Sequence, residues 1–465
     1  MKQPKKLIML IIPCCAAVAL LVCFFLIVLP YLKMAPTRKL LRESEYNCVF
    51  LSMFPVSTFD KEDFSYFRAD DALIVEELVP NARAMKSYLK DVTLSGNKMQ
   101  RIYLGVDPTK ITAEQILEFQ AAFPDAVFEI LPTYRRLSDW MKDPDWENTY
   151  AAYLDMVQKL VGKEKLSIYS FFAQEWLIAD DDNYLDGTLL TQRIAHILYI
   201  YADIDHRCDF RPENVTFFFT EFHSLLKESI WNGFSFPDLS SWEIIMLGDS
   251  VIGNYSEHDS IPELVASFSG AKTYNCGWGG ASAATRDSDS CGSNMVKAFL
   301  SGDLSTIPND VQAYSGMKAF WNASSVGEKQ LFVLHFGLND YFQAVPLDNP
   351  KDPKDVTTYC GALRSMIEMI QAARPDAKIL LIAPNPVLLF HYGKDPLSDE
   401  GAPLADYADA VLSLGESYGI PVLNDYEVLH PDTAYYYLSG DVHPNEYGRY
   451  KIAKALIYRI SDAFE

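Results

Sequence analysis

Ile244-Ile245-Met246-Leu247-Gly248-Asp249-Ser250-Val251-Ile252-Gly253 is the stretch on which the reading of this chain turns. Ile244 to Leu247 is the short apolar run expected of a strand buried on both faces. Gly248 then lets the backbone turn sharply. Such a turn leaves Ser250 at the carboxyl end of the strand, where open α/β sheets keep their ligand sites. Gly-Asp-Ser is also ordinary turn chemistry, so the weight falls on three segments nearer the C-terminus.

These segments come in a fixed order. Asn275-Cys276-Gly277-Trp278-Gly279-Gly280 comes after a short strand at 273–275, and its glycines let backbone N–H groups approach a ligand closely. Phe332-Val333-Leu334-His335-Phe336 reads as a second buried strand and ends in Gly337-Leu338-Asn339-Asp340. Gly440-Asp441-Val442-His443-Pro444-Asn445 comes last, with a helical pattern after it. Taken with the Gly-Asp-Ser turn, they resemble the four blocks of the SGNH hydrolase superfamily, the GDSL esterases, acetylesterases and lipases, over residues 241–465.

That resemblance implies a serine nucleophile at Ser250 with His443 as its base, since a hydroxyl is a poor nucleophile until a neighbouring base takes its proton. It also implies an oxyanion hole made by the backbone N–H of Ser250, the backbone N–H of Gly280 and the side-chain amide of Asn339. The family's last block is usually Asp-x-x-His, whereas here the residue three before His443 is Gly440 and the aspartate, Asp441, stands two before it. Alginate-acetylating relatives carry the same Asp-x-His spacing. Asp441 is therefore the expected orienter of His443, with a Ser–His dyad as the alternative. No cofactor is expected. A metal site has little support, because no Cys-x-x-Cys or His-Glu-x-x-His is present and most of the 8 histidines are scattered.

At 465 residues the chain is long enough for two domains. An apolar content of 49% argues for a packed globular protein. The formal charge of −22, from 40 basic and 62 acidic side chains, disfavours nucleic acid and anionic membrane surfaces as partners. At the N-terminus, Lys2, Lys5 and Lys6 precede an uncharged, mostly apolar stretch at 7–32, longer than the ~20 residues that cross a bilayer core. It is expected to be an uncleaved signal anchor, with the bulk of the chain outside the cytoplasm. Lys33, Arg38, Lys39 and Arg42 on its far side weaken any orientation read from charge alone. Cys14, Cys15 and Cys23 fall inside this stretch, which leaves five cysteines outside it. A bridge between Cys276 and Cys291 would span the active-site loop, but buried thiols are the simpler expectation.

After a polar stalk, an N-terminal α/β domain is expected over residues 45–239, with strands at 101–106, 126–131 and 166–172 between helical patterns. Asn183-Tyr184-Leu185-Asp186-Gly187-Thr188-Leu189 within it resembles a worn last block of the same superfamily, with Leu189 where a histidine would stand. This domain is expected to be either a degenerate SGNH relative or an unrelated α/β domain. Over 241–465 five strands and their helices predict a three-layer α/β/α sandwich with a five-stranded parallel sheet. Residues 282–329, rich in Ser, Gly, Asp and Asn, are expected to form a long excursion able to cover the site.

Plain readings suit several conspicuous residues. His335 is expected to be a core histidine, His258 and Asp259 part of a solvated loop, and Tyr435-Tyr436-Tyr437 either strand-forming aromatics or the lining of a glycan groove. Trp278, between the loop glycines, suits either packing or stacking on a sugar or acyl group. Three functions are compatible with the whole: an esterase or O-acyltransferase acting on acyl, chiefly acetyl, esters of cell-surface polysaccharide; a non-catalytic glycan-binding or assembly protein that keeps the fold; or a scaffold that docks on a membrane-bound acyltransferase.

Overall fold

The computed structural model describes residues 35–59, 71–186, 188–200, 208–253, 260–286, 290–323, 329–388, 394–439 and 442–465. The apolar stretch at 7–32 lies outside them, and no helix among the described residues is long and apolar enough to cross a membrane. The chain divides into two compact units between Gly233 and Phe234. Residues just after that point belong with the C-terminal unit, since the Phe236 ring packs on Phe268 at 4.7 Å and on Tyr450 at 6.4 Å.

In the N-terminal unit, strands β1 (Cys48–Ser52), β2 (Ala72–Ile74), β3 (Arg101–Val106), β4 (Val127–Pro132) and β5 (Leu166–Ile168) form a parallel sheet of order β2-β1-β3-β4-β5. β5 is shorter than the apolar run predicts. Tyr169 pairs in an isolated bridge with Asp209, and Phe171–Ala173 tightens into a 3₁₀ turn. A small antiparallel hairpin, β6 (Tyr184–Asp186) and β7 (Leu189–Leu190), then leads into helix α1 (Gln192–Ile200).

In the C-terminal unit, β8 (Trp242–Gly248), β9 (Lys272–Gly277), β10 (Lys329–His335), β11 (Lys378–Ala383) and β12 (Val422–Asn424) form a second parallel sheet, of order β9-β8-β10-β11-β12. Every residue of β8 is buried, as its unbroken apolar run requires, so both faces of the sheet are covered. The covering helices pack in two groups. α2 (Ile261–Ser269) lies against the C-terminal α6 (Glu446–Phe464), and α3 (Gly292–Ser301) and α5 (Leu404–Tyr418) lie against α4 (Tyr359–Ala373).

The excursion at 282–329 contains α3 and a further helix, Gln312–Trp321, that packs on β9. Its glycines hid the helices. A Cβ at Gly316 would stand 1.8 Å from the carbonyl oxygen of Asn275, so glycine is what lets this helix approach the strand backbone. The Tyr435–Tyr437 run is also not a strand. It lies in the short helix Ala434–Tyr437, where Tyr437 is fully buried with its ring 4.9 Å from Tyr447. A last hairpin, β13 (Leu438–Ser439) and β14 (His443–Pro444), leads into α6.

Candidate active site

The first strand of the C-terminal sheet delivers Ser250. β8 ends at Gly248, and Ser250 opens the short helix Ser250–Gly253. The turn is held by Asp249, whose Oδ1 accepts the Val251 N–H at 2.9 Å, and by the Asp249 N–H donating to the His335 carbonyl at 3.3 Å. The helix can sit on β9 only through glycine: a Cβ on Gly253 would lie 2.6 Å from the Gly277 carbonyl carbon, and one on Gly277 would lie 2.5 Å from the Gly253 nitrogen. Asp249 is buried, which raises its carboxyl to about 7, with the neighbouring Asp340 charge adding to the rise.

The last hairpin delivers His443. Its Nε2 lies 3.0 Å from the Ser250 Oγ, across 193 residues of sequence. The loop is gripped on both sides of the ring. Buried Asn385, just past β11, donates through Nδ2 to the Val442 carbonyl at 3.0 Å, and buried Arg449 donates to the Pro444 carbonyl at 2.8 Å. Asn445 caps α6 by accepting the Gly448 N–H at 2.9 Å. Asp441 lies outside the described residues, as do His258 and Asp259.

The glycine loop runs beside this pair. The Trp278 N–H donates to the Gly248 carbonyl at 2.9 Å, tying the loop to the nucleophile turn. Gly280 has a positive φ of 81° and is exposed, so its backbone takes a conformation glycine adopts at no steric cost. Asn339 and Asp340 then clamp the loop from the far side. The Asn339 Nδ2 donates to the Ala281 carbonyl at 3.0 Å. The two carboxylate oxygens of Asp340 accept the N–H groups of Ala283 at 2.8 Å and Ala284 at 3.0 Å. Asp340 is fully buried, which raises its carboxyl to about 6 against the lowering by these two N–H donors. Sequence reading missed the clamping roles of Asp340 and Asn385. The only signal was the position of Asp340 beside Asn339 in the third block.

His335 is a buried residue, as expected, with its Nε2 3.9 Å from Asp425. Burial lowers the imidazole to about 4 and raises the Asp425 carboxyl well above its ordinary value. Among the described residues all five cysteines are buried and none is in a disulfide, Cys276 and Cys291 included, and no cluster suited to a metal ion occurs.

A serine hydroxyl at the carboxyl end of a buried parallel sheet, within hydrogen-bond reach of an imidazole and flanked by a glycine loop, has the geometry that a serine nucleophile and its base require. Residues 246–450 match the model of the GDSL-like Lipase/Acylhydrolase family. The C-terminal half of the chain is a GDSL-like lipase/acylhydrolase domain of the SGNH type. Similar solved structures cover the same share of the chain. A Lactobacillus plantarum protein is 23% identical over 50% of this chain and 100% of its own, with a TM-score of 0.37. The M. smegmatis aryl esterase is 14% identical over 48% of this chain and 99% of its own, with a TM-score of 0.33. Est24, a carbohydrate acetylesterase from Sinorhizobium meliloti, is 12% identical over 48% of this chain and 99% of its own, with a TM-score of 0.33. No curated protein matches the chain.

Proposed function

We propose that this protein is a serine ester hydrolase or O-acyltransferase, anchored by residues 7–32 with its bulk outside the cytoplasm, that acts on acetyl esters of cell-surface polysaccharide. The 3.0 Å contact between Ser250 Oγ and His443 Nε2 carries the reading. His443 takes the hydroxyl proton as Oγ bonds to the ester carbonyl carbon. Donors from Ser250, Gly280 and Asn339 hold the resulting oxyanion, each contributing about 3 kcal/mol to the transition state. Collapse breaks the bond to the leaving alkoxide, which takes the proton from His443 and leaves acyl-Ser250. A water or a glycan hydroxyl then gives its proton to His443 as it attacks the acyl carbon, and collapse breaks the bond to Ser250 Oγ, which takes that proton back from His443 and leaves the free serine.

Hydrolysis and transfer share every residue named and differ in which hydroxyl reaches the acyl-serine. Exposure of Gly279 and Gly280 favours water as one acceptor. Hydrolysis of a small acetyl ester by the full chain and by Ser250→Ala tests the assignment. A loss of at least about a thousandfold is expected in the variant, and equal rates would overturn it. Topology is tested by protease added to intact cells, where digestion of the body is expected and survival would remove the cell-surface reading. Surface-glycan acetyl content in a deletion strain then separates the chemistries: a rise means esterase, a fall means transferase.

A further inference from the structure

The N-terminal unit repeats the architecture of the C-terminal one. In order along the chain, the five strands of each sheet are arranged 2-1-3-4-5. Many doubly wound folds share that order, but the endings also agree. In the C-terminal unit Asn445 follows the hairpin, donates its N–H to the Tyr437 carbonyl at 2.8 Å and accepts the N–H groups of Gly448 and Arg449. In the N-terminal unit Thr191 follows the hairpin, donates to the Asn183 carbonyl at 2.9 Å and accepts the N–H groups of Ile194 and Ala195. Counting back two residues from each cap sets Leu189 where His443 stands.

The nucleophile position is also replaced. Two residues beyond the end of β8 is Ser250, and two residues beyond the end of β1 is Phe54. Phe54 is buried with its ring 4.8 Å from Tyr134, and Tyr134 lies 6.4 Å from Tyr184 of the hairpin. A run of aromatic rings, Phe54, Tyr134 and Tyr184, therefore links the nucleophile position to the hairpin. Thr109 follows the last β1-paired residue of β3 by four, as Asn339 follows the last β8-paired residue of β10.

What survives is a cleft of 730 Å³ over this carboxyl end, lined among others by Asp107, Thr109, Lys110, Arg135, Lys142 and Thr188. The three acidic and three basic side chains of its lining sum to zero: Lys110 meets Asp107 at 2.7 Å, Arg135 meets Asp143 at 2.8 Å while its guanidinium lies 4.9 Å over the Trp140 ring, and Asp139 offsets Lys142. Such a lining offers fixed donors and acceptors side by side with no net charge to attract an ion. That matches alcohol groups, which donate and accept at once. We infer that this cleft is a non-catalytic binding site for an uncharged, hydroxyl-rich ligand, a short run of glycan, on a copy of the hydrolase fold that has lost its nucleophile and base. The inference rests on the proposed glycan-directed function for the source of its ligand.

Binding is read without ester turnover, so failure of the enzyme assignment and failure of this inference are separate results. Calorimetric titration of the full chain with hexasaccharides of xylose, glucose and N-acetylglucosamine, and with hexagalacturonate as the anionic counterpart, tests it. At least one neutral oligosaccharide is expected to bind, and Thr188→Trp, which fills the cleft, and Lys142→Glu should each weaken it at least tenfold. Lys142 is exposed, so its variant decides the matter even where the tryptophan disturbs folding. Absence of binding by all three neutral probes, equal or tighter binding of hexagalacturonate, or affinity untouched in both variants would overturn the inference.

Discussion

At the carboxyl ends of their sheets the two units present opposite chemistry on the same scaffold. In the C-terminal unit the turn after the first strand is Gly248-Asp249-Ser250 and the last hairpin carries His443. In the N-terminal unit the corresponding turn passes through Met53 and Phe54, and the hairpin carries Leu189. Strand order, hairpin and capped helix are shared, so none of these supplies activity. Function resides in a few side chains grafted on the frame. The comparison also separates what builds the site from what performs the chemistry, since the hairpin forms with a leucine as well as with a histidine.

The comparison breaks most directly at the paired hairpin positions. His443→Ala should lower hydrolysis of a small acetyl ester by at least about a thousandfold, because the serine loses its base. Leu189→Ala should change the rate by less than about twofold, since a hairpin without a base has no transition state to stabilise. Steady-state kinetics on the two variants checks both. A large loss in the leucine variant would mean that the N-terminal unit takes part in the chemistry.

A second variant sharpens the role of the orienter. Losing the aspartate of a well-formed triad can cost on the order of 10⁴ in turnover. Here Asn385 and Arg449 already fix the backbone on either side of His443. Asp441→Asn is therefore expected to cost less than about a hundredfold in kcat. A loss on the order of 10⁴ would show that the imidazole depends on Asp441 for its tautomer.

Smaller effects come from the buried carboxyls. Asp340→Asn leaves one acceptor for two loop N–H groups, so about a tenfold fall in kcat with little change in KM is expected as the Gly280 donor loses its fixed position. In the unchanged protein, protonation of Asp340 below about pH 6 should loosen the same clamp, giving an acid limb in kcat that is weaker in this variant.

Asp249→Asn addresses stability. Its folded carboxyl titrates at about 7, above the ordinary 3.8. The folded state therefore holds this proton more tightly than the unfolded chain does. That contribution is fully present below about pH 4 and is lost as pH rises through about 7. Removing the buried charge should raise the unfolding midpoint at pH 8 relative to pH 5. Equal shifts at the two pH values would contradict the burial argument.

Much of this was legible in the sequence. β8 was readable because a strand buried on both faces needs an unbroken apolar run, and Gly248-Asp249-Ser250 marks where it stops. The C-terminal β-α rhythm was readable for the same reason. Misreadings share a cause, which is that a residue's local habit was overruled by a partner distant in sequence. Gly292 and Gly316 signal a loop by composition. Each sits in a helix because a side chain would strike a neighbour, Met366 in one case and the Asn275 carbonyl in the other. Tyr437 suggests a strand by its ring, but packing on Tyr447 holds it in a helix. Asp340 and Asn385 gave little sign of their positioning roles because each grips backbone 56 or 57 residues away.

The central claim is that His443 activates Ser250 and no other serine of the chain. Treating the full chain with a fluorophosphonate, which bonds covalently to activated serine hydroxyls with loss of fluoride, and mapping the adduct by peptide mass spectrometry tests this most directly. The account predicts one adduct, on Ser250, that is lost in His443→Ala. An adduct on another serine, or labelling of Ser250 that persists at full extent without His443, would contradict it.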